Sequence, residues 1–140
     1  MMNLKPYSAI ALATGGVILA GMGLYFIFIR PSLLPEDLSY MGTTLQNIKD
    51  NIPGLLNWLQ KVFWVMGGYI FTTGLLIIFI ASTSFRKRLN GAFSIVAITG
   101  ISSIGSMTVI NFMIGSDFKW VLLTFTLPWI IALILYRLHK

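Results

Sequence analysis

The stretch SAIALATGGVILAGMGLYFIFI, residues 8–29, decides the fold class. It carries no charged side chain, and it matches the about 20 residues with which a helix crosses roughly 30 Å of hydrocarbon. Three further apolar runs follow at 55–81, 91–114 and 120–136, with polar joints between them and no acid or base near the middle of any run. The pattern predicts an all-α integral membrane protein, one membrane domain over residues 1–140, folded as a four-transmembrane-helix bundle. Composition agrees: 56% of the residues are hydrophobic and only 10% are charged, against about 25% charged in soluble domains.

The first run is preceded by Lys5 and offers Ala20-Gly21 as small residues for signal cleavage. It continues through Leu24-Tyr25-Phe26-Ile27-Phe28-Ile29, well past the about 7–15 apolar residues of a signal peptide, and so reads as a retained helix. Tyr7, Trp58, Trp120 and Tyr136 stand at span ends, where amphipathic rings prefer the headgroup layer.

Charge sets the expected orientation. Lys5, Arg86, Lys87, Arg88, Arg137 and Lys140 fall on one side with no acid. Arg30, Lys49, Lys61 and Lys119 fall on the other, balanced by Glu36, Asp37, Asp50 and Asp117. The positive-inside rule then puts both termini in the cytoplasm of a bacterial inner membrane. The net charge of +6 is accounted for by these flanks, so nucleic acid is not an expected partner, whereas membrane lipids are. Arg86-Lys87-Arg88 reads first as a topology signal and second as an attraction for anionic headgroups.

Between the first two spans, residues 30–54 form an external segment with structure of its own. Arg30-Pro31 stops the first helix, and Pro35 opens a short one with Glu36 and Asp37 in its first turn, where the helix dipole favours acids. Gly42 interrupts it. Thr43 with Gln46 has the spacing of a capping box for a second short amphipathic helix, whose apolar face is Leu45, Ile48 and Ile52. Arg30, Glu36, Asp37 and Tyr40 are the candidate external recognition surface. Adjacent carboxylates point in different directions on a helix, so Glu36 and Asp37 read as helix-start residues rather than a catalytic pair.

Within the spans the informative residues are small or weakly polar. Ala9, Ala13, Gly16, Ala20 and Gly23 make one stripe on the first helix, and Gly67, Gly68 and Gly74 supply small positions on the second; both predict helix-packing faces. The third run is rich in Ser and Thr. Gly100, Ser103, Met107 and Asn111 share a face at ordinary helical spacing, which makes Ser103 and Asn111 the candidate interior polar contact, with Asn111 expected as interhelical glue. Pro128 predicts a kink in the fourth run, with Thr124 near the freed carbonyl.

No catalytic, metal or cofactor constellation is legible. The chain has no cysteine and a single histidine, His139, and no ionisable group sits at depth to couple transport to an ion. The expected function is a non-catalytic accessory or binding module for a lipid, a quinone-like molecule or a membrane-protein partner, with homo-oligomers allowed. The competing class is an oligomeric passive channel or small transporter built around the third helix.

The segment Arg30-Pro31-Ser32-Leu33-Leu34-Pro35-Glu36-Asp37-Leu38-Ser39-Tyr40-Met41-Gly42, followed by Val62-Phe63-Trp64-Val65-Met66-Gly67-Gly68-Tyr69, resembles a group of uncharacterised small bacterial four-transmembrane-helix proteins. Its order of features is similar to the broader DoxX-like group. There a four-helix bundle carries a long external joint after helix one and a Gly-Gly then Gly pattern in helix two, here Gly67, Gly68 and Gly74. The resemblance covers the first three-fifths of the chain. Arginines found near the second and third helices of that group have no counterpart, since Phe63-Trp64 and residues 103–106 occupy those places. The resemblance implies a bundle and no particular activity.

Overall fold

The computed structural model describes residues 5–138 and, for side chains, 7–138. His139, Lys140 and the side chain of Lys5 lie outside the described residues. Every regular element among the described residues is helical: α1 Lys5–Phe28, α2 Pro35–Met41, α3 Leu45–Asn51, α4 Leu55–Ile80, α5 Ala92–Gly100, α6 Ser106–Met113 and α7 Lys119–Leu138. Ala81–Phe85 continues α4 as a π-helical turn, and Ile101–Gly105 joins α5 to α6 as another. The described residues thus hold four helices long and apolar enough to cross a membrane: Tyr7–Phe28, Leu55–Phe85, Ala92–Met113 and Lys119–Leu138.

The helix boundaries have local causes. α1 ends where Ile29 and Arg30 both donate to the Tyr25 carbonyl and Pro31 follows. α2 starts at Pro35, with the Leu34 amide donating to Asp37 Oδ2 at 2.8 Å, and stops at Gly42, whose left-handed φ of 64° suits a residue without a Cβ. The cap of α3 differs from the sequence expectation. Thr44 rather than Thr43 is the N-cap and accepts from the Asn47 amide at 3.2 Å, while Thr43 Oγ1 accepts from Asn47 Nδ2 and Gln46 donates to Asp50. Of the expected apolar face of α3 only Ile48 is buried; Leu45 and Ile52 are exposed.

α1 is central. It packs most extensively on α4 and next on α7, and α7 in turn touches α5, the second π-helical turn and α6. The α1–α4 contact is made by glycine and alanine. A Cβ on Gly74 would stand 2.5 Å from the Ala20 amide nitrogen and 2.6 Å from the Gly16 carbonyl oxygen; one on Gly67 would stand 2.8 Å from the Gly23 carbonyl oxygen. The helix backbones approach as closely as these residues permit, which maximises van der Waals contact. Ala13 is half-buried and packs on the core beside this line. Gly68 is a correction: a Cβ there meets nothing within 4 Å, because one residue of helix rotates it about 100° away from Gly67.

On its other side α1 receives Trp129 of α7. The indole is 3% exposed and lies in a notch between Gly15, where a Cβ would stand 2.7 Å from the ring, and Gly100, where it would stand 2.8 Å from Nε1. Leu12, Leu19, Val96, Ile104, Leu122 and Ala132 complete the surrounding core. Pro128 does not end α7, which runs on to Leu138, and the Thr124 hydroxyl donates to the Trp120 carbonyl at 3.0 Å.

The third span departs from 3.6-residue spacing. Its buried positions are Ala92, Val96, Gly100, Ile104 and Thr108, each four residues after the last. The π-helical turn supplies the additional residue that keeps a four-residue repeat facing one way. At the far end of the same helices Tyr136 is not a free aromatic anchor. Its ring packs on Phe85 at 4.5 Å and Phe93 at 5.7 Å between centroids, and the Arg88 guanidinium covers it at 4.2 Å while donating to the Tyr136 carbonyl.

Candidate functional site

Three helix faces and one short helix line an open-sided cavity of about 500 Å³. α1 contributes Ile18, Gly21, Met22, Tyr25 and Phe26, spaced three, one, three and one, which is a single helical face. From α6 and its end come Met107, Asn111 and Ile114. Phe118 and, on α7, Val121, Leu122 and Phe125 form the third wall. Both α1 and α6 pack on α7, so the cavity is the space left between them. Leu34, Glu36 and Asp37 of the α2 region close one end. At the opposite end the notch of Gly15, Gly100 and Trp129 fills the interior.

The walls are apolar and the polar groups collect at the α2 end. Arg30 is 9% exposed, and its Nη2 donates to Asp37 Oδ2 at 3.2 Å while Nη1 donates to the Pro31 carbonyl at 2.9 Å. This is the one ion pair among the described residues. The guanidinium is stacked 3.6 Å from the Phe63 centroid and 5.3 Å from that of Phe26, so a planar cation is held on two rings as well as by its carboxylate. Asp37 serves two structural ends at once, the Leu34 cap and the Arg30 pair.

Glu36 faces the other way. Its Oε1 accepts from Ser116 Oγ at 3.1 Å, and Ser116, 1% exposed, also accepts from the Phe118 amide at 3.1 Å just before α7. α2 is therefore tied to the entry of α7 on one side. On the other, Ser32 Oγ donates to the Leu56 carbonyl of α4 at 2.8 Å. The lid over the cavity is anchored to the helices on both sides of it.

Of the expected recognition residues, Arg30, Glu36 and Asp37 come together at this cavity. Tyr40 does not: it is exposed and borders a smaller apolar cleft of about 320 Å³ with Met41, Leu59 and Phe63. The expected pair Ser103 and Asn111 is also separated. Asn111 lines the cavity and Ser103 does not: the two are eight residues apart, about 12 Å along the axis at 1.5 Å per residue, and the lining of this span runs only from Met107 to Ile114. Neither bridges helices. Asn111 Nδ2 donates to the Met107 carbonyl at 2.9 Å and Ser103 Oγ to the Thr99 carbonyl at 2.5 Å, both within their own helix, so interhelical glue is not the role Asn111 plays.

Sequence reasoning missed Ser116, Tyr25, Phe118 and Phe125 as site residues and Trp129 as the plug. Their spacing marks helical faces, but nothing in it states which faces meet. No group of three or more His, Cys, Asp or Glu that could hold a metal is found among the described residues. Comparison with protein-family models, with curated proteins and with solved structures gives no match.

Proposed function

We propose that the protein is a binding module of a bacterial inner membrane: a four-helix bundle, DoxX-like in its order of features, that holds one amphiphilic molecule, a lipid or quinone-like compound, between α1, α6 and α7. The observation that carries this reading is the 500 Å³ cavity with apolar walls and a polar end built from Arg30, Asp37, Glu36, Ser116 and Asn111. Its size falls in the roughly 300–1,000 Å³ range of small-molecule sites, and the segregation of polar from apolar lining matches a head and a tail. The termini are cytoplasmic in this reading and α2 lies on the external side, so the polar end meets the outer headgroup layer. Single cysteines at Thr44 and Asn90 test that orientation: labelling of the first alone in intact cells is expected.

The module acts by binding rather than turnover. Asp37 is engaged by the Leu34 amide and Arg30, and Glu36 by Ser116, an arrangement that supports shaping a site more than moving protons. Transport along the interior finds less support. Trp129 packs beneath the cavity, and the hydroxyls of Thr99, Ser102, Ser103, Ser106 and Thr108 on the third span donate to carbonyls of their own helix.

Gly21 gives the direct test. It lines the cavity, and a Cβ there meets nothing within 4 Å, so Gly21→Phe fills the space without forcing helices apart. Native mass spectrometry of the parent released from mild detergent should show a retained amphiphile. Gly21→Phe should lack it while keeping the parent's unfolding midpoint. Equal retention by both proteins refutes the site.

A further inference from the structure

From the charges at the polar end of the cavity, we infer that the bound amphiphile carries a cationic headgroup, an amine or quaternary ammonium on a short single chain. This rests on the amphiphile-binding reading and specifies its ligand class. Three charged side chains line the cavity, Arg30, Glu36 and Asp37. Arg30 and Asp37 neutralise each other at 3.2 Å, and the guanidinium is further committed to the Pro31 carbonyl and the ring of Phe63. Among the described residues Glu36 has only the Ser116 hydroxyl for a partner, which supplies a hydrogen bond and no countercharge. The lining therefore carries one uncompensated formal negative charge next to apolar walls, where Coulomb interactions are stronger than in water.

Two further features point the same way. Tyr25, Phe118 and Phe125 line the cavity, and aromatic faces attract ammonium groups. Asn111 uses its amide nitrogen on the Met107 carbonyl, which leaves its side-chain oxygen as an acceptor at the lining. A phosphate or carboxylate head would meet Glu36 and the Asn111 oxygen, with Arg30 already paired. Depth limits the tail. The α1 face from Ile18 to Phe26 spans eight residue steps, about 12 Å at 1.5 Å per residue, which is less than half of the roughly 30 Å hydrocarbon layer.

The test uses full-length protein in nanodiscs of zwitterionic lipid, with empty discs as the partition control. Three radiolabelled probes share a decyl chain: decyltrimethylammonium, decanol and decyl phosphate. Decyltrimethylammonium is expected to bind saturably, one per chain, and at least about tenfold more tightly than the other two. Glu36→Gln keeps an acceptor for Ser116 and should lower that preference about tenfold. Gly21→Phe should abolish saturable binding of all three. Equal binding of the ammonium and phosphate probes, or a preference unaltered in Glu36→Gln, overturns the cationic assignment and leaves the amphiphile site standing. Absence of any binding that Gly21→Phe removes overturns the site and the assignment together.

Discussion

Ser116 Oγ donates to Glu36 Oε1 at 3.1 Å across 80 residues of sequence, and this bond fastens the short helix over the cavity to the start of α7. Because Ser116 is 1% exposed and also caps the Phe118 amide, its hydroxyl has no solvent to fall back on. Ser116→Ala should cost about 1–3 kcal/mol, the range for removing a partner from a buried polar group. A double-mutant cycle with Glu36→Ala, read from unfolding in mixed micelles, should give a coupling of about 0.5 kcal/mol or more. Strict additivity would mean the two side chains do not act on each other.

Gly67 and Gly68 are neighbours in sequence with opposite roles. A side chain at Gly67 runs into the Gly23 carbonyl and Ile27, whereas one at Gly68 enters open space. Gly67→Leu should therefore separate α1 from α4, with a destabilisation of about 1–3 kcal/mol or more, as for overpacked cores. Gly68→Leu should be close to neutral. Size-exclusion profiles and yields in the same detergent check the contrast, and similar behaviour of the two variants would contradict the seam.

That pair also marks what the sequence could and could not reveal. Apolar length exposed the four long helices, since hydrocarbon thickness and helical rise fix it. The Gly16, Ala20 and Gly23 stripe pointed to a close contact because regular 3.6-residue geometry holds along α1. In the third span the same reasoning did not separate Ser103 from Asn111, because residues on one helical face lie at different depths and spacing alone does not say which depth meets the cavity. Ser116 was invisible for another reason: its partner is 80 residues away, and local pattern holds no record of such distances. Tyr136 had the position of an interface anchor, but Phe85, Phe93 and Arg88 enclose it.

Trp129 combines a large buried surface with an indole nitrogen that finds no hydrogen-bond partner among the described residues. Trp129→Ala should lose about 3–5 kcal/mol, the usual cost of emptying a large aromatic site. Trp129→Phe keeps much of the packing between Gly15 and Gly100 and removes the unpaired donor, so it should lose markedly less. Unfolding midpoints of the two variants measure this, and an equal loss would show that the nitrogen has a partner important for stability. Gly100→Ala tests the other side of the notch. Its methyl group must displace the indole, and near-parent stability there would contradict the fit.

The Arg30–Asp37 pair alters what a helix-start acid would be expected to contribute. As a cap alone, Asp37 would matter by about 0.3–1 kcal/mol through the helix dipole. Here it accepts from the Leu34 amide and holds a guanidinium that is 9% exposed. Asp37→Asn retains an oxygen for the cap but removes the countercharge. The expected cost rises to about 1.5–3 kcal/mol, the range for a hydrogen bond to a charged group. Arg30→Lys should also destabilise, since an ammonium cannot reproduce the stack on Phe63 or the planar donors that reach Pro31 and Asp37 together. Arg30→Met with Asp37→Asn removes both charges and leaves an apolar stem on the two rings, and it should be more stable than either Asp37→Asn or an Arg30→Met single variant. Unfolding in mixed micelles ranks the set. A double variant less stable than both single ones would show that the charges are needed for more than each other.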